Sequence, residues 1–158
     1  MSKMQNLYLG QAGHLLVMSE LLYRGWNVAI PQVDRGDDIF VVKDANGDLK
    51  RVQVKTAEGK KRLKGYSAKY NLRMDQLQTP FTPDVHYVFV MRKDDGWNKF
   101  IVIDRSVLFN HRIIDKVGYE KDGTLQLQIS IHDNTSKCSK VDFSKYLNDW
   151  SKFPVINH

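Results

Sequence analysis

Asp38, Gln53 and Lys55 are the residues of this 158-residue chain whose types and spacing could do chemistry together. They flank Asn46-Gly47, a dipeptide that signals a β-hairpin because both residues tolerate the positive φ of a tight turn. With Asn46 and Gly47 as a two-residue loop, Val41 pairs with Val52, Phe40 with Gln53, Ile39 with Val54 and Asp38 with Lys55. Side chains alternate along a strand, so Ile39, Val41, Val52 and Val54 project to one apolar face. Asp38, Gln53 and Lys55 then project together to the other face, at the open end of the hairpin. A one-residue slip would scatter the apolar set, so burial of that set protects the convergence. A carboxylate, an amide and an ammonium at one point offer an acceptor, a donor and a point charge to a bound polar group. The plain alternative is a cross-strand ion pair on a solvated hairpin.

Several elements must hold this hairpin in place. Over 8–24, Ala12, Leu15, Met18 and Leu22 recur at three- and four-residue steps with Gly13, Glu20 and Arg24 opposite. That spacing predicts an amphipathic helix resting on the leucine side and ended by Gly25. Strands are predicted over 26–31, 38–43 and 49–56, with an irregular stretch between the first two. Beyond a basic loop, Tyr66, Tyr70 and Leu72 mark an extended piece, followed by a loop carrying Pro80 and Pro83. The continuous apolar run 85–91 predicts a fully buried strand, joined across Asp95-Gly96 to another over 100–103. Residues 104–114 read as a helix. Strict alternation over 125–131 reads as a half-buried strand, expected at a sheet edge. A last helix from about Asp142 would gather Phe143, Tyr146, Leu147 and Trp150 on one face. The order describes a sheet with helical cover, an α/β or α+β sandwich, in a single domain over 1–158.

The composition, 42% hydrophobic and 27% charged, is that of a globular chain. The net charge of +6 suits a polyanionic partner. Its location is more informative: between Lys50 and Arg73 stand nine basic residues and one acid, Glu58, while the remainder is slightly acidic. Within that segment Lys60, Lys61, Arg62, Lys64 and Lys69 are candidates for holding a nucleic-acid backbone, against the ordinary reading of a solvated loop. The longest apolar stretch, over 14–23, is interrupted by His14, Ser19 and Glu20, so neither a membrane span nor a signal peptide is expected. A soluble, cytoplasmic protein without a membrane partner follows as the expectation. The single cysteine, Cys138, cannot close a disulfide within the chain. Phosphate-binding glycine loops, dinucleotide fingerprints, nucleophile elbows and zinc spacings are absent from the sequence.

A helix, then an acid opening one strand, then an Asn-Gly turn, then Gln53-Val54-Lys55 in the partner strand resembles the PD-(D/E)xK nuclease superfamily. Both its restriction-endonuclease-like and its Holliday-junction-resolvase-like members are similar. GQAGHLLVMSELLYRGWNV, DRGDDIFVV and RVQVKTA carry the likeness, about a third of the chain. The resemblance implies a mixed β-sheet flanked by helices, in which an N-terminal helix precedes a three-stranded meander. The nuclease-like core would cover about 7–105, with strand and helix elaboration over 106–158. It further implies an endonuclease that hydrolyses phosphodiester bonds in duplex or branched DNA. Asp38 and Gln53 would bind magnesium or manganese, and Lys55 would assist attack by water. Gln53 stands where an acid is usual, which keeps a ligand oxygen and removes one negative charge. His14 falls where resolvase-like members carry a helix glutamate, making it a further candidate ligand, and Glu20 an auxiliary. Asp34 or Asp37 could contribute from the preceding loop. Pro83-Asp84 follows the triplet and is therefore not the motif acid. The resemblance also allows a homodimer. The alternative to cleavage is a lapsed nuclease-fold module that binds nucleic acid or a protein partner.

Overall fold

The computed structural model describes residues 2–33 and 38–158. Helix α1 (Lys3–Tyr23) opens on a capping box: Ser2 Oγ accepts from the Gln5 amide, and Gln5 Oε1 accepts from the Ser2 amide. A meander follows, β1 (Asn27–Ala29), β2 (Ile39–Lys43) and β3 (Asp48–Glu58). Next come β4 (Lys60–Lys61), β5 (Tyr66–Arg73), α2 (Met74–Gln78), β6 (Val85–Lys93), β7 (Gly96–Trp97) and β8 (Ile101–Asp104). Helix α3 (Arg105–Ile114) then leads to β9 (Tyr119–Lys121), β10 (Thr124–His132), β11 (Thr135–Cys138) and β12 (Val141–Asp142).

The strands form two sheets. The first runs β1-β2-β3-β6, with β7 and β8 both on the far edge of β6. Its β3–β6 pair is parallel and its other pairs are antiparallel, so the sheet is mixed. The second sheet runs β12-β11-β10-β5-β4 with β9 beside β10, and is antiparallel throughout. Between the sheets lies one core, where Tyr87, Phe89 and Met91 of β6 meet Tyr70, Leu72, Leu125 and Leu127. On the other side of the first sheet, Val52, Val54, Val88 and Val90 pack with Val17 and Leu21 of α1 in a second core. The chain passes from one sheet to the other at Gly59. Its amide donates to the Arg92 carbonyl at 2.8 Å, and a Cβ there would press on Met91 and that carbonyl.

Four expectations are corrected. Helix α1 rests on Gly13, Val17 and Leu21, whereas Leu15 and Leu22 are 54% and 53% exposed and Ala12 faces out. Of the anticipated stripe only Met18 packs against the core. The reason is close approach: a Cβ on Gly13 would overlap Thr56 Oγ1 of β3, so the glycine side is where the helix can touch the sheet. The hairpin loop has four residues instead of two, because the Lys43 carbonyl accepts from both Asn46 and Gly47 amides while Asn46 Oδ1 accepts from Asp48. The register is therefore Ile39↔Val52 and Val41↔Lys50. Strand β10 is central, between β5 and β11, not at an edge. The last helix shrinks to a 3-10 turn, Ser144–Tyr146, since Leu147 bridges to Ile101 of β8 and Asn148 turns at positive φ. No helix among the described residues is long and apolar enough to cross a membrane.

Candidate active site

Strand β2 is shorter than β3, and the site lies where it stops. The Asp38 amide donates to the Val52 carbonyl at 2.8 Å. Beyond that point β3 continues to Glu58 alongside β6. An amide on the uncovered edge of β3 needs a new acceptor once β2 has ended. Asp38 supplies it: Oδ2 accepts from the Val54 amide at 2.7 Å and from Gln53 Nε2 at 2.8 Å. The two-residue shift in register preserves which face each side chain occupies, and it brings Asp38 beside Gln53.

Gln53 is 6% exposed, and its Oε1 is buried with no hydrogen-bond partner among the described residues. A buried acceptor left in that state costs about 1–3 kcal/mol, so it marks a place for a water or a ligand; Thr56 Oγ1 of the same strand is in the same state. His14 Nε2 lies 3.1 Å from the Asp38 carbonyl oxygen, which can only accept, so the ring donates there and steadies the Asp38 main chain. His14, Asp38, Gln53, Val54 and Lys55 all line one cavity of about 360 Å³, walled on the helix side by Gly10 and Gln11. A carboxylate beside a partnerless amide oxygen is a hard-oxygen donor set, the kind magnesium and manganese prefer. It is a lean set: no group of three His, Cys, Asp or Glu that could hold a metal occurs among the described residues.

Glu20 does not join them. Its carboxylate pairs with Arg24 one turn along the helix at 2.8 Å. Asp34 and Asp37 lie outside the described residues. Asp84 has a different task, as an acceptor for Arg105, whose Nε and Nη2 donate to it at 2.7 and 2.8 Å. Burial pushes the Asp84 carboxyl up, but hydrogen bonds from Arg105, Val85 and Phe81 outweigh that and hold it below the usual carboxylate range.

A larger cavity of about 640 Å³ adjoins the first, sharing Asn6, Lys55 and Thr56 as wall residues. Lys60, Arg62 and Lys69 stand in its wall, whereas Lys61 and Lys64 are exposed outside it. Lys50 and Arg51 are turned to other work, over the rings of Trp26 and Phe40. The sequence reading missed Asn71 and Gln128, which line the same wall. Their signal was available: both sit at outward positions of strongly alternating strands, next to the basic segment.

A sequence profile of the PD-(D/E)XK endonuclease family matches residues 4–117. The chain belongs to that family. The PD-(D/E)XK assignment agrees with the helix-and-meander order and the mixed first sheet. Among solved structures the chain is similar to a bacterial homing endonuclease, I-Ssp6803I, at 20% identity and a TM-score of 0.58. That likeness covers 91% of this chain and 87% of the other, and shows a shared fold. No curated protein is matched.

Proposed function

We propose that this PD-(D/E)XK protein is a divalent-metal-dependent endonuclease that hydrolyses phosphodiester bonds in DNA. The supporting observation is the buried Gln53 Oε1, without a partner among the described residues, beside the Asp38 carboxylate in a cavity that also holds Lys55. Asp38 and Gln53 would hold magnesium or manganese, with His14 at hand on the helix side. Such an ion, when bound, neutralises charge on the phosphate and eases deprotonation of a water. The Val54 amide and Gln53 Nε2 fix Asp38 Oδ2 in place, so the negative charge is preorganised. Lys55 adds a point charge next to the phosphate under attack. Lys60, Arg62 and Lys69 hold the flanking backbone through salt-sensitive contacts. With one such site per chain, a homodimer is the simplest assembly for cutting both strands of a duplex.

A cleavage assay on duplex and branched DNA tests this reading. The expected result is cutting with magnesium or manganese that chelation stops and that Lys55→Ala lowers by about a hundredfold or more, with the fold retained. The rival reading, nucleic-acid binding without cleavage, draws on the single carboxylate described at the site. Intact DNA under both ions, with salt-dependent binding preserved in a folded sample, decides for the rival.

A further inference from the structure

We propose that the outer face of the second sheet reads base edges in duplex DNA, so that cleavage is sequence-selective, with Asn71, Gln126 and Gln128 as the reading amides and Lys69 beside them. This inference rests on the DNA-cleaving reading above and adds how a target is chosen. The inner face of β5 and β10 is core: Ala68, Tyr70 and Leu72 pack with Leu125, Leu127, Ile129 and Ile131. The outer face is a polar ladder in which Gln126 pairs with Asn71, Gln128 with Lys69 and Ser130 with Ser67. Lys69, Asn71 and Gln128 are exposed there.

Any antiparallel sheet with one solvated face shows polar residues on it. Three observations distinguish this one. Strands β4, β5, β10 and β11 contain no Asp or Glu, yet place Lys60, Lys69, Arg73 and Lys137 on that face; the sheet's acids lie on its outlying strands, Glu120 of β9 opposite Leu125 and Asp142 of β12 opposite Lys137. A face made only for solubility mixes both signs throughout, whereas here the acid is confined to the β12 edge, away from the amides. The amides also stand at register-paired positions on adjacent strands. Gln126 Nε2 donates to Asn71 Oδ1 at 3.3 Å, so the pair acts as one unit with a further acceptor and donor to offer. Asn and Gln amides match adenine in the major groove with two hydrogen bonds, lysine matches guanine, and strands are among the elements that present such residues to a groove.

The third observation is continuity. The cavity holding Asp38 and Gln53 shares Lys55 with the larger one, whose far wall includes Lys69, Asn71 and Gln128. Gln128 in turn borders a third hollow of about 240 Å³ with Ser130 and Ser139. A duplex whose backbone lies at Lys55 and Lys60 therefore meets the ladder next. Glu58 is the acid in that path, at the end of β3.

The test is selection of bound duplexes from a random-sequence pool in chelator, so that cutting does not interfere, followed by affinities for the enriched duplex and a scrambled one. Wild type is expected to enrich a motif. Asn71→Ala with Gln126→Ala, and separately Gln128→Ala, are expected to lower the ratio of the two affinities at least about tenfold, with loss confined to one or two base positions. Lys60→Ala should lower both affinities together and keep the ratio. Circular dichroism of each variant establishes that the sheet is intact. A motif that survives in the amide variants overturns the inference. So does the absence of any motif in a protein that binds DNA and cuts it with magnesium, an outcome that leaves the nuclease reading standing. Failure to bind DNA even at low salt overturns both.

Discussion

The two sheets use glutamine in opposite ways. Strand β6 of the first sheet is covered on both faces, Val88 and Val90 toward α1 and Tyr87, Phe89 and Met91 toward the second sheet. Beside such a strand a polar side chain is costly unless partnered, so the oxygen of buried Gln53, which has no partner among the described residues, is informative by itself. In the second sheet, β5 and β10 bury one face and leave the other to water. Gln126 and Gln128 cost nothing there, and they gain meaning only from their surroundings: no acids on β5 or β11, cations close by, and an open route to Lys55. A buried polar group can thus be judged alone, whereas an exposed one must be judged by its pattern.

The contrast can be broken most directly at Asp38. Asp38→Asn is expected to lower metal-dependent cleavage by about a hundredfold or more, measured as initial rates on plasmid DNA; normal rates would remove the first sheet's claim to the chemistry. Next in size is the ion pair behind the sheets. Arg105 is 5% exposed and also donates to the Leu77 carbonyl at 2.6 Å, so Asp84→Ala strands a buried cation. About 3 kcal/mol of stability should be lost, read from urea denaturation. Gly13→Val should cost about 1–3 kcal/mol in the same measurement by forcing α1 away from Thr56. Leu15→Ala on the outward side should stay within about 0.5 kcal/mol, which checks which face of the helix is seated.

A further effect, intermediate in size, concerns acid. A hydrogen bond from His86 Nδ1 at 2.7 Å holds the Asp104 carboxyl below the usual carboxylate range, with burial opposing. Its contribution is complete above the unfolded pKa of about 3.9 and is lost as pH falls through the lower folded value. Asp104→Asn should therefore flatten the acid limb of the stability curve by about 1 kcal/mol. Because β4, β5, β10 and β11 of the second sheet hold no carboxylates, an acid limb that persists undiminished in this variant must come from elsewhere in the molecule.

Much of the site was legible because period-two alternation survives an even slip. The loop of the hairpin was read two residues too short, yet Asp38, Gln53 and Lys55 kept their face. Helix α1 was harder, since two apolar stripes run along it and only the neighbour decides which is seated. Gly13 decides it, by being small opposite Thr56, and periodicity gives smallness no weight. The terminal helix failed for a tertiary reason. Its aromatic spacing is real, and Phe143 and Trp150 are buried, but Asn148 donates to the Phe100 carbonyl at 2.8 Å and draws the chain onto β8. Strand β10 became central because Asp133, at φ 51°, turns the chain into β11 without the glycine that usually marks such a corner. That the Gln53 oxygen has no partner among the described residues lies beyond any sequence pattern, because it depends on which of those residues reach it.

Gly59 carries one more implication. Strand β3 ends at Glu58 and β4 begins at Lys60, so the edge proposed to cut and the sheet proposed to read bases are joined through one residue wedged against Met91 and Arg92. No tether intervenes. On the two proposals together, such a joint would work like a ruler: the interval between recognised bases and severed bond would be set by the backbone, giving one fixed offset instead of a spread of nicks.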